Sequence, residues 1–189
     1  MAFEDYKIKS SVVIVYQGDG KGKTTAALGL MTRALGHRSK VAFIQFIKNW
    51  GVSEHVFIRD IQPIFGKDLY FYKGGKGFFK AGDLSAKNVS EEEHLISAQK
   101  TYNKAYELAT SGQYDLIICD EINNAIHDKL LKVTDLEKLI KDKNLKTSLC
   151  LTGRNFPDKL LPLVDIATNM TKQKHHFDDK FLANQGIDF

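Results

Sequence analysis

The chain has 189 residues, of which 43% are hydrophobic and 26% are charged, and this composition is typical of a soluble globular protein. We therefore expect residues 1–189 to form a single domain with a sizeable core. The net charge of +4 comes from scattered lysines, which argues against a nucleic-acid module and is consistent with an anionic ligand.

The first predicted strand, residues 12–16, leads into a glycine-rich segment and then into a run with helical spacing, residues 26–35. This order is typical of a phosphate-binding loop, because glycines let backbone N–H groups and the helix N-terminus surround phosphate oxygens. A glycine-rich turn without a ligand is the alternative. The residues predicted to bind a nucleotide are Gly18, Asp19, Gly20, Lys21, Gly22, Lys23, Thr24 and Thr25.

Two side chains give this loop its chemistry. Lys23 can reach the phosphate chain, and the hydroxyl of Thr24 can hold a magnesium ion. The general pattern has a glycine at position 17, where this chain has Gln17, so the loop is one residue short. We expect such a loop to hold phosphates differently from the loop of an ordinary ATPase.

The next strand, residues 40–47, is apolar almost throughout, as strands buried on both faces are. Residues 48–90 form a long and less regular excursion that contains Phe78 and Phe79. These two rings could stack on a flat ligand, or they could belong to a small satellite core. The residues leave both interpretations open.

Later elements have clear boundary signals. Ser90 and Glu93 form a capping box that begins a helix ending near Gly112, and Thr134 and Glu137 predict a second box. Strands are predicted at 114–121, 147–152 and 164–170, with a helical segment at 156–163. The alternation predicts an α/β, three-layer fold with a mostly parallel central sheet, in which ligands bind beyond the carboxyl ends of the strands.

Acidic and basic residues follow two of these strands. Asp120 and Glu121 end one, where they could hold magnesium opposite Thr24, and Glu121 could instead orient an attacking water. Arg154 follows the next strand and could contact phosphate oxygens. The plainer alternatives are solvated acids at a strand end and a surface arginine.

The remaining metal-ligating residue types do not predict another site. Cys119 and Cys150 each end an apolar run, so we expect small core residues on neighbouring strands, without a disulfide. No histidine pair has helical metal spacing. No segment is long and apolar enough to cross a membrane, and the N-terminus is too polar for a secretion signal. With a nucleotide-binding loop, this predicts a cytoplasmic protein.

From residue 12 to residue 189 the sequence resembles the ATP:corrinoid adenosyltransferases that have a P-loop NTPase, RecA-like fold. The short loop and the C-terminal motifs together make the resemblance specific. The matching motifs are the loop at 18–25 (with Asp19 where the family usually has Asn), Arg33-Ala34-x-Gly36-His37, Gln45-Phe46-Ile47-Lys48, Asp120-Glu121-Ile122-Asn123, Thr152-Gly153-Arg154, Lys174-His175-x-Phe177-Asp178 and Gly186-Ile187-Asp188.

The resemblance implies transfer of the 5′-deoxyadenosyl group of ATP to the Co(I) of a reduced corrinoid, cobalamin or a precursor, with release of triphosphate. Lys21, Lys23 and Arg154 would be catalytic, Thr24, Asp120 and Glu121 would hold Mg²⁺, and Arg33 and Phe78 would join the binding residues. It also implies a homodimer and a flavoprotein reductase as a partner. Lys80 stands where the family usually has tryptophan.

Two other functions fit parts of the sequence. An ATP-hydrolysing protein of the same fold would use Glu121 to position water. A non-catalytic corrinoid or nucleotide carrier would bind both ligands without transfer, and Lys80 is the residue that suggests it.

Overall fold

The structure is a computed structural model, which describes residues 5–77, 79 and 89–188. Its strands are β1 (Val13–Gln17), β2 (Val41–Gln45), β3 (Leu69–Lys73), β4 (Leu116–Asp120), β5 (Ser148–Thr152) and β6 (Ile166–Asn169). Its α-helices are α1 (Lys23–Gly36), α2 (Ser53–Phe65), α3 (Glu91–Ser111), α4 (Ile122–His127) and α5 (Val133–Asp142). No helix of this described part combines the length and apolar character needed to span a bilayer.

The strands form one sheet in the order β3-β2-β4-β5-β1-β6, and every pairing is parallel. Side chains of a strand alternate between its two faces, and each face of this sheet has its own hydrophobic cluster. Ile44 and Ile117 pack with α3, α4 and α5, whereas Phe43 and Ile118 pack with α1 and α2. The predicted three-layer α/β fold is therefore confirmed.

Strand order decides which loops meet. Because β5 lies between β1 and β4, the segments that follow these three strands are neighbours at one edge of the sheet. Gln45 pairs in register with Asp120, and Tyr16 pairs with Thr152. The carboxyl ends of β1, β2, β4 and β5 thus bring four chain segments together.

The excursion at 48–90 is more regular than the sequence predicts. It contains the helix α2 and the edge strand β3, joined by a 3-10 helix at Gly66–Asp68. No side chain caps the start of α2, and Pro63 lies inside it, so the usual helix signals are missing. Helix α2 is held by tertiary packing, with Ile58 fully buried against the sheet.

The capping box at Ser90 and Glu93 is confirmed, and Gly112 ends α3 in the left-handed conformation. The second predicted box is wrong. Helix α5 begins before Thr134, and the carboxylate of Asp135 accepts from the backbone N–H of Lys132 at 2.9 Å. The predicted helical segment at 156–163 forms a 3-10 helix, Asp158–Leu163.

Candidate active site

The phosphate-binding loop joins β1 to α1 and packs closely on the segment after β6. The backbone N–H of Gly20 donates to the carbonyl oxygen of Met170 at 2.7 Å. A Cβ atom at Gly18 would lie 2.4 Å from that oxygen, and φ is +108° at Gly18 and +114° at Gly22. Glycine is therefore needed at Gly18 and Gly22 for the left-handed backbone conformation, and at Gly18 also for the close approach of the two segments.

Lys23 is folded back along the loop. Its ammonium group donates to the carbonyl oxygens of Gly18 at 2.8 Å and Gly20 at 2.7 Å. Burial lowers its pKa, and the nearby Glu121 carboxylate opposes that shift. The loop thus holds a partly buried cation against backbone oxygens that a phosphate could replace.

Asp120 is fully buried at the end of β4 and has a partner on each side. Its Oδ1 accepts from the hydroxyls of Thr24 at 3.0 Å and Thr152 at 2.7 Å. Its Oδ2 accepts from the amide of Gln45 at 3.0 Å. The structure therefore brings Thr24 and Asp120 together, as the sequence predicts for a shared magnesium ion.

Glu121 follows in a left-handed conformation, with φ +65°. Its backbone N–H donates to the hydroxyl of Thr152 at 3.0 Å, and its carboxylate accepts from the amide of Asn124. Burial and the neighbouring Asp120 raise the pKa of Glu121 to about 7. Glu121 is thus a carboxyl group beside the loop whose surroundings favour its protonated form.

Sequence reasoning missed a second cation at this point, Lys48, and its partner Glu54. The Lys48 ammonium lies 2.9 Å from Glu54 Oε1, 3.4 Å from Thr24 Oγ1 and 3.8 Å from Asp120 Oδ2. Burial lowers the pKa of Lys48, but the carboxylates outweigh that effect and raise it. The position of Lys48 just beyond a buried strand was the signal available in the sequence.

The C-terminal segment covers the other side of the loop. Lys21 pairs with Asp188 at 2.7 Å, and Asp19 accepts from the backbone N–H of Lys172 at 3.2 Å. Arg154 is exposed at the cavity edge, and its backbone N–H donates to Asn124 at 2.6 Å. The side chains of Lys21 and Arg154 thus reach the same space from different elements.

A cavity of about 960 Å³ opens between these segments. Most of the predicted nucleotide residues line it, together with residues of α2 and the C-terminal segment. Those predicted residues are Asp19, Gly20, Lys21, Gly22, Lys23, Thr24, Thr25, Glu121 and Arg154. Gly18 contributes its carbonyl oxygen to Lys23, and Asp120 lies behind Thr24.

One predicted binding residue lies outside the cavity. Arg33 is exposed in the last turn of α1 and does not line the cavity. Phe78 and Lys80 lie outside the described residues. Phe79 packs against the core with its ring 5.1 Å from that of His94, which favours the satellite-core interpretation for this ring.

The oxygen donors at the loop suit a magnesium ion. Thr24, Asp120 and Glu121 offer a hydroxyl and two carboxylates, which are hard ligands. Within the described residues, no cluster of three or more His, Cys, Asp or Glu side chains could enclose a metal. Mg²⁺ usually takes one or two carboxylates and completes its shell with phosphates and water, so Thr24, Asp120 and Glu121 could hold it.

A family profile described as ATP:corrinoid adenosyltransferase BtuR/CobO/CobP matches residues 9–189. The chain belongs to the ATP:corrinoid adenosyltransferase family. The protein is thus a transferase that moves an adenosyl group from ATP to a corrinoid, a reaction of adenosylcobalamin biosynthesis. Family membership confirms the resemblance that the sequence motifs carry.

Relatives of this family cover nearly the whole chain. A corrinoid adenosyltransferase of Sinorhizobium sp. is 32% identical over 183 residues, covering 96% of this chain and 81% of the relative. One of Escherichia coli (strain K12) is 28% identical over 179 residues, covering 94% and 85%. Among solved structures, the flagellar accessory protein FlaH from Methanocaldococcus jannaschii is similar with a TM-score of 0.48 and 14% identity, covering 85% of this chain and 71% of FlaH.

Proposed function

We propose that the loop at 18–25 grips the triphosphate of ATP while C5′ of the ribose is presented to the Co(I) of a reduced corrinoid. The electron pair on cobalt forms the Co–C5′ bond. The C5′–O bond breaks, and its electron pair leaves with inorganic triphosphate. The cobalt nucleophile belongs to the substrate, so the protein has to orient C5′ and stabilise the leaving group.

Among the described residues, four of the five Lys and Arg side chains that line the cavity come from segments beyond the ends of β1, β2 and β5, and their convergence supports this proposal. Lys21 and Lys23 come from the loop, Lys48 follows β2, and Arg154 follows β5. A leaving triphosphate gains negative charge at the bridging oxygen, and preorganised cations stabilise that charge without reorganising. No step in the reaction needs a general base, so Glu121 has no water to activate.

Thr24, Asp120 and Glu121 would hold Mg²⁺ next to the phosphates. The ion would supply positive charge to the triphosphate as it leaves. Asp120 is prepared for this role because Thr24 and Thr152 fix one of its oxygens and Gln45 fixes the other. In its ionised form, Glu121 would join the ligand set.

Part of the cavity wall is apolar, with Leu28, Phe57, Phe177 and Ile187. Phe57 and Phe177 are both exposed, at 48% and 60%. We assign this wall to the nucleoside and the edge of the corrinoid, because flat ligands bind well to exposed aromatic rings. A corrinoid contact at Phe78 and a binding role for Arg33 also belong to the proposal.

The remaining parts of the proposal are a flavoprotein reductase that acts with the enzyme and a homodimer, which the resemblance implies, and a cytoplasmic location, which the nucleotide-binding loop suggests. Reductase binding and oligomeric state can be tested on the purified protein, and the location by cell fractionation.

The decisive experiment mixes the protein with ATP, Mg²⁺ and a chemically reduced corrinoid. We expect equal amounts of adenosylated corrinoid and inorganic triphosphate. ADP and phosphate formed without consumption of corrinoid would indicate an ATPase. Binding of both ligands without any product would indicate a carrier.

A further inference from the structure

A histidine outside the main cavity is connected by hydrogen bonds to Asp120, the carboxylate that we assign to magnesium. His55, on α2, has Nε2 2.5 Å from Oε1 of Gln45. The imidazole ring also rests on Phe71 of β3, with 5.4 Å between ring centroids. His55 does not line the cavity that holds the phosphate-binding loop, but it borders a second cavity of about 350 Å³.

The amide of Gln45 transmits this contact to the site. Its Nε2 lies 3.0 Å from Asp120 Oδ2 and 3.5 Å from Glu54 Oε1. Gln45 is fully buried, so neither end of its amide can turn to solvent for a replacement partner.

Only one assignment of donors and acceptors fits the hydrogen bonds from His55 through Gln45 to Asp120. Ionised carboxylates only accept, so the NH₂ group of Gln45 must face Asp120 and Glu54. Its carbonyl oxygen must then face His55, which has to present an N–H. A flipped amide would place an oxygen against two carboxylates and leave the NH₂ group against an imidazole nitrogen.

We propose that His55 is a positioning residue for nucleotide-bound magnesium, acting through Gln45 on Asp120. The N–H of His55 donates to the carbonyl oxygen of Gln45 and holds the amide in place, so that its NH₂ group stays on Asp120 Oδ2 and Oδ1 faces Thr24. This inference rests on the proposed magnesium site at Thr24 and Asp120. It adds a residue that touches neither ATP nor the metal.

Hydrogen bonds that orient a metal ligand change metal affinity. The His55–Gln45 bond would act on Asp120 from one hydrogen bond further out. The test is therefore titration calorimetry of ATP without corrinoid, in saturating Mg²⁺ and again in EDTA. The ratio of the two affinities measures the contribution of magnesium. His55→Phe keeps a ring beside Phe71 and removes the N–H donor, whereas His55→Gln restores a side-chain N–H.

We expect His55→Phe to lower the affinity in Mg²⁺ about fivefold and the affinity in EDTA less than about twofold. The expected effect is smaller than the roughly tenfold or greater loss for a group bonded directly to a metal ligand. His55→Gln should recover most of the ratio. The matched control is His127→Phe, an exposed position on α4 that lines neither cavity. It should leave both affinities unchanged.

An unchanged ratio in His55→Phe would overturn the proposal, and so would a wild-type protein whose ATP affinity does not depend on Mg²⁺. If His55→Phe does not fold, Gln45→Met removes the same connection with a side chain of similar volume, and an unchanged ratio there has the same meaning. A parallel transfer assay on the wild type keeps failure of the proposed function separate, because it reads adenosylated corrinoid and not magnesium dependence.

Discussion

Lys21, in the phosphate-binding loop, pairs with Asp188 near the end of the chain, with 2.7 Å between Nζ and Oδ1. The hydrogen bond from Lys21 and that from the backbone N–H of Asn184 lower the pKa of Asp188 to about 2. Asp188 is therefore ionised at any working pH. A carboxylate of the chain itself holds one of the four cations that we assign to the triphosphate.

Asp188→Asn should strengthen the binding of inorganic triphosphate about threefold, because an anion that competes for Lys21 is removed. Titration calorimetry measures this directly. Asp179→Asn, an exposed acid on the same C-terminal segment, is the matched control and should have little effect. Weaker triphosphate binding in Asp188→Asn would contradict competition and indicate that the tail clamps the ligand.

Lys23→Met should lower kcat/KM for adenosyl transfer at least about 100-fold, since a preorganised charge on the leaving group is lost. Steady-state kinetics with a chemically reduced corrinoid provide the measurement. Lys67→Met removes a lysine of equal charge from the exposed 3-10 helix Gly66–Asp68 and should keep normal kinetics. Equal losses in both variants would argue for a general charge effect.

Thr152→Val should destabilise the protein by about 1–3 kcal/mol, because Asp120 and the Glu121 N–H both lose a buried partner. Its ATP affinity in Mg²⁺ should also fall. Thr147→Val is the matched control, since that buried hydroxyl bonds the carbonyl of Tyr114. It should lower stability in chemical denaturation while ATP affinity stays normal.

The raised pKa of Glu121 predicts a pH dependence of stability in EDTA. Between its ordinary pKa near 4.5 and the folded value of about 7, the folded state keeps a proton that the unfolded state has released. The contribution of Glu121 to stability should therefore fall as pH rises from about 4.5 to about 7. Chemical denaturation should show a weaker fall in Glu121→Gln, and equal slopes in both proteins would contradict the shift.

Ser90→Ala should destabilise the protein by about 1 kcal/mol, because it removes the hydroxyl that accepts from the N–H of Glu93. Thr134→Ala should be nearly neutral, since Thr134 lies inside α5 and Asp135 bonds the first backbone N–H. The midpoint temperatures of thermal unfolding of the two variants measure this difference in stability. A larger loss in Thr134→Ala would mean that the second box caps the helix after all.

Much of the nucleotide half of the site is predictable from local sequence. The loop at 18–25 is contiguous, and its glycines, Lys23 and Thr24 come with their own strand and helix. Asp120 and Arg154 are predictable because a parallel sheet collects whatever follows its strands at one edge. Arg33 belongs to a matching motif but lies outside the cavity, because a local motif does not specify where a helix face points in the folded chain.

Helix α2 was not predicted because no side chain caps its start and Pro63 lies inside it. The helix is stabilised by the packing of Ile58 against the sheet and not by local helix propensity. That helix carries Glu54 and His55. Their contacts with Lys48 and Gln45 depend on how α2 lies over the sheet, which no short-range pattern specifies.

The sequence by itself determined the fold class, the phosphate-binding loop and the family, because these depend on periodicity and on contiguous motifs. The tertiary structure decided the rest. The strand order places Thr152 of β5 between β1 and Asp120 of β4, and the strand register places Gln45 beside Asp120. The fold of the C-terminal segment brings Asp188 to Lys21. Such contacts join residues far apart in the chain, and packing of the whole domain selects them.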